Sequence, residues 1–128
     1  MQDPSRFSSV YAEIREKRAD ALIIFTSSFT SFHRRKLLEL ATAIRLPTMC
    51  AQAAWIEAGC FMSYGPNLTE FYWHAAYFVD RILKGAKPAD LPVERPRKYE
   101  LIINLKTTNQ LGLTVPPNIL ARADRVIR

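Results

Sequence analysis

The feature that most constrains this chain is the alternation of helical and strand-like patterns through its first fifty residues. Residues 5–18 read as a helix, because Phe7, Val10, Tyr11 and Ile14 recur at helical spacing and make one apolar stripe. Ala21-Leu22-Ile23-Ile24-Phe25 is a short apolar run with β-branched residues, and its length and context predict a buried, parallel strand. Leu37, Leu40, Ala41 and Ile44 form a second helical stripe, with Arg35, Glu39 and Thr42 on the opposite face. Leu46 to Cys50 reads as the next strand. Helix, strand, helix, strand is the pattern of an α/β layered fold with a parallel sheet. Ligands of such sheets sit beyond the carboxyl ends of the strands. Here those ends are Thr26 to Ser31 and Cys50 to Ala53.

Further along, Trp55 to Ala58 predicts one helical turn stopped by Gly59, and Phe61 to Tyr64 a third strand ended by Gly65-Pro66. The clearest helix follows. Asn67 suits its N-cap, Glu70 stands three residues on as in a capping box, and Gly85 is the C-terminal stop. Leu68, Phe71, Tyr72, Ala75, Ala76, Val79, Ile82 and Leu83 make its apolar stripe, while Trp73 and Tyr77 lie one turn apart on the opposite face. A helix apolar on two faces is usually covered on both, so Trp73 and Tyr77 read either as two isolated surface aromatics or as a partner surface. Residues 86–98 carry Pro88, Pro92 and Pro96 among charged residues and read as an extended crossing segment. Tyr99 to Asn104 is a strand, and Pro117 can open a last short helix carrying Ile119, Leu120 and Ala123.

A chain of 128 residues, 48% of them apolar, can bury a substantial core. Its net charge of +6 comes from scattered basic residues whose longest run is Arg34-Arg35-Lys36, a solvated helix face, so no nucleic-acid partner is expected. No segment nears the ~18 apolar residues of a membrane span, and the N-terminal residues lack a signal-peptide pattern. Cys50 and Cys60 carry no metal-site spacing and read as two buried small hydrophobes, bridged only if their strands are neighbours. His33 reads as a core or capping histidine, and His74 has no carboxylate or cysteine at ligand spacing. GxSxG, HExxH and P-loop motifs are absent, and the serines have no base nearby in sequence. No catalytic residue, metal site or cofactor is therefore expected. Ser27 to Thr30 remains, a hydroxyl-rich turn between a strand and a helix start, suited equally to capping and to holding an anion.

The runs "MSYGPNL" and "ILKGAKPADLPVERPRKYELIINLKTTNQLGLTVPPNILARADRVI" resemble the C-terminal part of bacterial ABC-transporter substrate-binding proteins, which have the type I periplasmic-binding-protein fold. The weaker resemblance reaches back to Ala21 and so covers nearly the whole chain. It implies part of a two-lobed α/β fold lacking the first lobe. Residues 1–60 would belong to the second lobe, 61–98 would hold the crossing segments and a helix that packs on the first lobe, and 99–128 would hold a returning strand and C-terminal helices. The returning strand would pair with the strands at Ala21 and Pro47. The implied function is binding a small organic solute, an amino acid or other carboxylate, without catalysis, and handing it to an ABC permease in the membrane from the periplasm. Carried over by position, the solute-binding residues would be Ser27, Ser28, Thr30, Gln52, Tyr64 and Asn67. The alternative expectation is a truncated remnant that acts only through self-association, by Trp73 and Tyr77, or through a protein partner.

Overall fold

The computed structural model describes residues 3–96 and 98–128. The chain folds into two units, one running to Gly65 and resuming at Glu100–Arg128, the other Pro66–Tyr99.

The first unit begins with a turn of 3-10 helix over Pro4–Arg6, capped by the Asp3 side chain, and α1, Phe7–Glu16. Then come β1 (Leu22–Ile24), α2 (Ser28–Phe32), α3 (Arg34–Ala43), β2 (Thr48–Cys50) and a 3-10 turn at Ala53–Trp55. The strand β3, Met62–Pro66, leads out of the unit, and β4, Tyr99–Asn104, leads back. The chain closes with α5 (Leu105–Leu111), α6 (Pro117–Leu120) and β5 (Arg125–Ile127). The five strands form one mixed, mostly parallel sheet in the order β1-β2-β3-β4-β5. β1 pairs with β2, β2 with β3 and β4 with β5, all parallel. The Asn104 N–H donates to the Phe61 carbonyl and the Asn67 N–H to the Lys98 carbonyl. The two index pairs have the same sum, so β3 and β4 run antiparallel.

One expectation is corrected. β4 pairs with β3 and β5, not with the strands at Ala21 and Pro47. After α6 ends at Leu120, the chain adds a strand that was not expected, Arg125–Ile127, against Ile102 to Asn104. Asp124 fixes that return, its backbone N–H donating to the Leu101 carbonyl and its carboxylate accepting from the Leu101 N–H.

The core of this unit follows the helical stripes. Phe7 and Tyr11 of α1 are buried with Leu37, Leu38 and Ala41 of α3, over Ile24, Cys50 and Ile102 of the sheet. Burial pushes the Tyr11 phenol pKa up to about 12, because the phenolate would be charged in an apolar setting. His33 lies at the junction of α2 and α3, its ring edge-on to Phe7 and Phe32 and tilted against Phe29. It is thus a packed histidine at a helix junction.

The second unit is built on α4, Leu68–Leu83. The Asn67 side-chain oxygen accepts from the Thr69 and Glu70 N–H groups, and Gly85 takes the positive φ, 97°, that stops the helix. A 3-10 turn over Pro88–Asp90 precedes an extended run to Pro96. No residue of α4 is buried, although its apolar stripe is the longest in the chain.

Candidate functional site

The strands β1, β2 and β3 are adjacent and parallel, so their carboxyl ends lie side by side. Of the expected solute-binding residues, Ser27, Ser28 and Thr30 follow β1, Gln52 follows β2, and Tyr64 lies within β3. All five belong to the first unit. Asn67 belongs to the second, where its oxygen caps α4.

The hydroxyl turn folds as a capping box. The Ser27 Oγ accepts from the Thr30 N–H at 3.1 Å, and the Thr30 Oγ1 accepts from the Ser27 N–H at 2.8 Å. The Thr30 hydroxyl lies 3.0 Å from the Phe25 carbonyl, to which it donates, tying the turn to the end of β1. Ser27 and Thr30 therefore set the shape of this turn, and Ser28, at the first position of α2, is exposed.

The turn carrying Gln52 is held from several directions. Cys50 and Cys60 form a disulfide, with Cα atoms 6.7 Å apart, which closes the 51–59 segment into a loop. Both are buried, as expected, but they are not separate thiols: β2 and the start of β3 are neighbours, and that brings the two side chains together. The buried Asn104 donates to the Ile56 carbonyl at 3.0 Å while its oxygen accepts from the Thr107 N–H and caps α5. The Thr107 hydroxyl donates to the Gly59 carbonyl at 3.3 Å. Trp55 anchors the same turn with only 1% of its surface exposed.

The third strand approaches this loop closely. A Cβ at Gly65 would fall on the Ala51 carbonyl oxygen, so only glycine lets the two backbones meet there. Ile24 pairs with Cys50 and Cys50 with Ser63, the last pairs of the two ladders. Strand alternation puts Tyr64 on the face opposite the buried Ser63. Phe25 is 81% exposed and Tyr64 50%. Phe25 was not among the expected site residues, because an apolar residue ending an apolar run reads as core. The missed signal is strand parity: Ile24 faces the core, so Phe25 cannot.

The second unit has a groove of its own, about 650 Å³, lined by Phe71, His74 and Phe78 of α4 and by Glu94, Arg95 and Pro96. Across it the His74 Nδ1 lies 3.4 Å from a Glu94 carboxylate oxygen. Sequence spacing hid this carboxylate, which arrives from 20 residues downstream on the extended run. Among the described residues no group of three or more metal-ligating side chains occurs, and no helix is long and apolar enough to cross a membrane.

The family described as ABC transporter substrate binding protein matches residues 2–127. Three solved structures share the fold. One is a conserved domain protein from Vibrio cholerae O1 biovar El Tor, at TM-score 0.86 and 26% identity, over 95% of this chain and 41% of that one. A second is an ABC domain from Streptococcus pneumoniae in complex with L-Trp, at TM-score 0.85 and 24% identity, over 96% and 41%. The third is the ligand-free, open form of a substrate binding protein with adhesive properties from Clostridium difficile, at TM-score 0.71 and 20% identity, over 99% and 42%. The chain thus spans about two fifths of the length of each. Among curated proteins, none matches.

Proposed function

The chain belongs to the ABC transporter substrate-binding protein family, and from that premise we propose that it takes part in binding a small organic solute for import through an ABC permease. Members of the family bind small molecules, are generally non-catalytic and are typically periplasmic or extracellular. The observation that carries the reading is the placement of Ser28 and Gln52 just after β1 and β2, with Tyr64 in the adjacent parallel strand β3. Convergent polar groups beside aromatic surface are what a solute site needs. The solute class is an amino acid or another small carboxylate. Ser28 supplies a hydroxyl, Gln52 an amide and Tyr64 a ring and phenol, while Ser27 and Thr30 keep the first of these turns in shape. The L-Trp bound by the pneumococcal relative supports an amino acid. The Cys50–Cys60 disulfide supports maturation in an oxidising compartment such as the periplasm. Within this reading residues 1–60 and 99–128 belong to the second lobe of a two-lobed protein, and the helix within 61–98 packs on the first.

Calorimetry of this chain against a panel of amino acids and small carboxylates tests the reading. The Ser28→Ala, Tyr64→Phe double variant removes two hydroxyl groups, and two lost hydrogen bonds should weaken the best solute roughly ten- to thirty-fold. Unchanged affinity would remove both residues from the site.

A second reading, self-association through Trp73 and Tyr77, is favoured by one observation: α4 has no buried residue, and Trp73 is 75% exposed. Light scattering separates the two. A monomer at high concentration leaves the solute-binding reading alone.

A further inference from the structure

We propose that Asn104 is a positioning residue for the solute site: its side-chain amide ties the turn that follows Gln52 to the start of α5, and so holds Gln52 in place for the solute. The proposal rests on the solute-binding reading of this same site and adds the group that fixes one of its arms.

Asn104 ends β4 and is 6% exposed. A buried amide has lost its hydration and must find its hydrogen bonds within the protein. The Asn104 Nδ2 donates to the Ile56 carbonyl at 3.0 Å, and its Oδ1 accepts from the Thr107 N–H at 3.1 Å. Its backbone N–H donates to the Phe61 carbonyl at 2.9 Å, and its own carbonyl accepts from the Thr108 hydroxyl at 2.8 Å. Capping α5 needs only the side-chain oxygen, which aspartate, serine or threonine would also supply. The donor on the same side chain is what capping does not explain. It meets a carbonyl 48 positions away, in the 51–59 loop.

From that carbonyl the path to Gln52 is short. The Ile56 N–H donates to the Ala53 carbonyl at 3.0 Å, and the Trp55 N–H to the Gln52 carbonyl at 3.1 Å. Fixing Ile56 therefore fixes the 3-10 turn, and the turn fixes the Gln52 backbone. Thr107 adds a second tie from α5, its hydroxyl donating to the Gly59 carbonyl at the far end of the loop. The disulfide closes the loop at its base, and the two ties from α5 set how it lies. A polar arm held in place before the solute arrives need not be ordered on binding.

The test is a double-mutant cycle between Asn104 and Gln52. Calorimetry with L-leucine, L-tryptophan, L-glutamate and succinate first identifies the tightest of the four, which is then used throughout. Asn104→Ser keeps a capping oxygen for Thr107 but is too short to reach Ile56. It should weaken binding roughly five- to ten-fold, and Gln52→Ala should weaken it by a similar factor. The double variant should bind within about two-fold of Gln52→Ala alone, because both changes disable the same arm. A residue that serves only the fold would show no such coupling. Far-UV circular dichroism checks that each variant is folded. Unchanged affinity in folded Asn104→Ser, or losses that multiply in the double variant, would overturn the proposal. If Asn104→Ser does not fold, Thr107→Val decides: it deletes the second tie, keeps the side-chain shape, and should weaken binding roughly two- to three-fold only while Gln52 is present. No change there would overturn the proposal as well. If Gln52→Ala binds like the unaltered chain while Ser28→Ala, Tyr64→Phe is weakened, the solute-binding reading stands and the positioning role falls. If none of the four solutes binds, that reading falls and takes the positioning role with it.

Discussion

The two units were equally well signalled as local structure, but they differ in what covers them. In the first, α1 and α3 have modest stripes, and their residues Phe7, Tyr11, Leu37, Leu38 and Ala41 are buried. In the second, α4 has a side-chain cap, the longest stripe and a clean glycine stop, and none of its residues is buried. A helix forms where its local signals agree, but its stability in a protein comes mainly from packing of its apolar face. The first unit therefore carries its stability in its own core, and α4 stands on capping, propensity and pairs such as Lys84–Asp80 at 2.9 Å.

The two tryptophans turn that difference into the largest expected effect. Trp55 is 1% exposed in the first unit and Trp73 is 75% exposed on α4. Trp55→Ala should cost about 3–5 kcal/mol, enough to unfold a marginal domain. Trp73→Ala should stay within about 0.5 kcal/mol. Urea denaturation followed by far-UV circular dichroism measures both. A large loss on Trp73→Ala would mean that α4 is covered in solution.

This contrast also marks how far the sequence could be read. β4 was legible to the residue, since Tyr99–Asn104 is six residues of strand-forming sequence followed by a clear helix cap at Asn104. β5 was not, because three residues after a short helix carry no period of their own. Its existence depends on Asp124 meeting Leu101, a contact across 23 positions. The neighbours of β4 were misjudged for the same reason: strand order is decided by which surfaces pack, not by the strand's own residues. The disulfide lay beyond spacing arguments because it follows from the adjacency of β2 and β3. Within the candidate site, the polar turn residues were visible as residue types at strand ends. The exposure of Phe25, 81%, was not, since it depends on which face of β1 meets the core.

Tyr11 reports on the burial of the first unit's core. Its phenol pKa is raised by burial from about 10 in the unfolded chain to about 12 in the fold. The neutral phenol is the form the fold favours. Its contribution to stability is therefore complete below pH ~10, and is lost as the pH rises through about 12. Tyr11→Phe removes this titration. The stability difference between the unaltered chain and Tyr11→Phe should change by about 2 kcal/mol between pH 9 and pH 12. A constant difference over that range would mean that the α1–α3 core admits water.

The smallest effect is the most local. If α4 holds its shape by its own signals, its first turn depends on the Asn67 oxygen, which accepts from Thr69 at 2.9 Å and Glu70 at 3.2 Å. Asn67→Ala removes that cap, and loss of such a cap costs about 1 kcal/mol. In hydrogen exchange this should appear as roughly five-fold faster exchange of the Thr69 to Phe71 amides. The amides of Ile102 and Ile103 should not change, because both residues are buried in the other unit's sheet. Faster exchange in β4 as well would show that the two units open together, since the cap would then be felt across the β3–β4 pair. No change at Thr69 would show that something covers the start of α4 and holds it without the cap. Either result would replace a helix standing on local signals with one held by its surroundings.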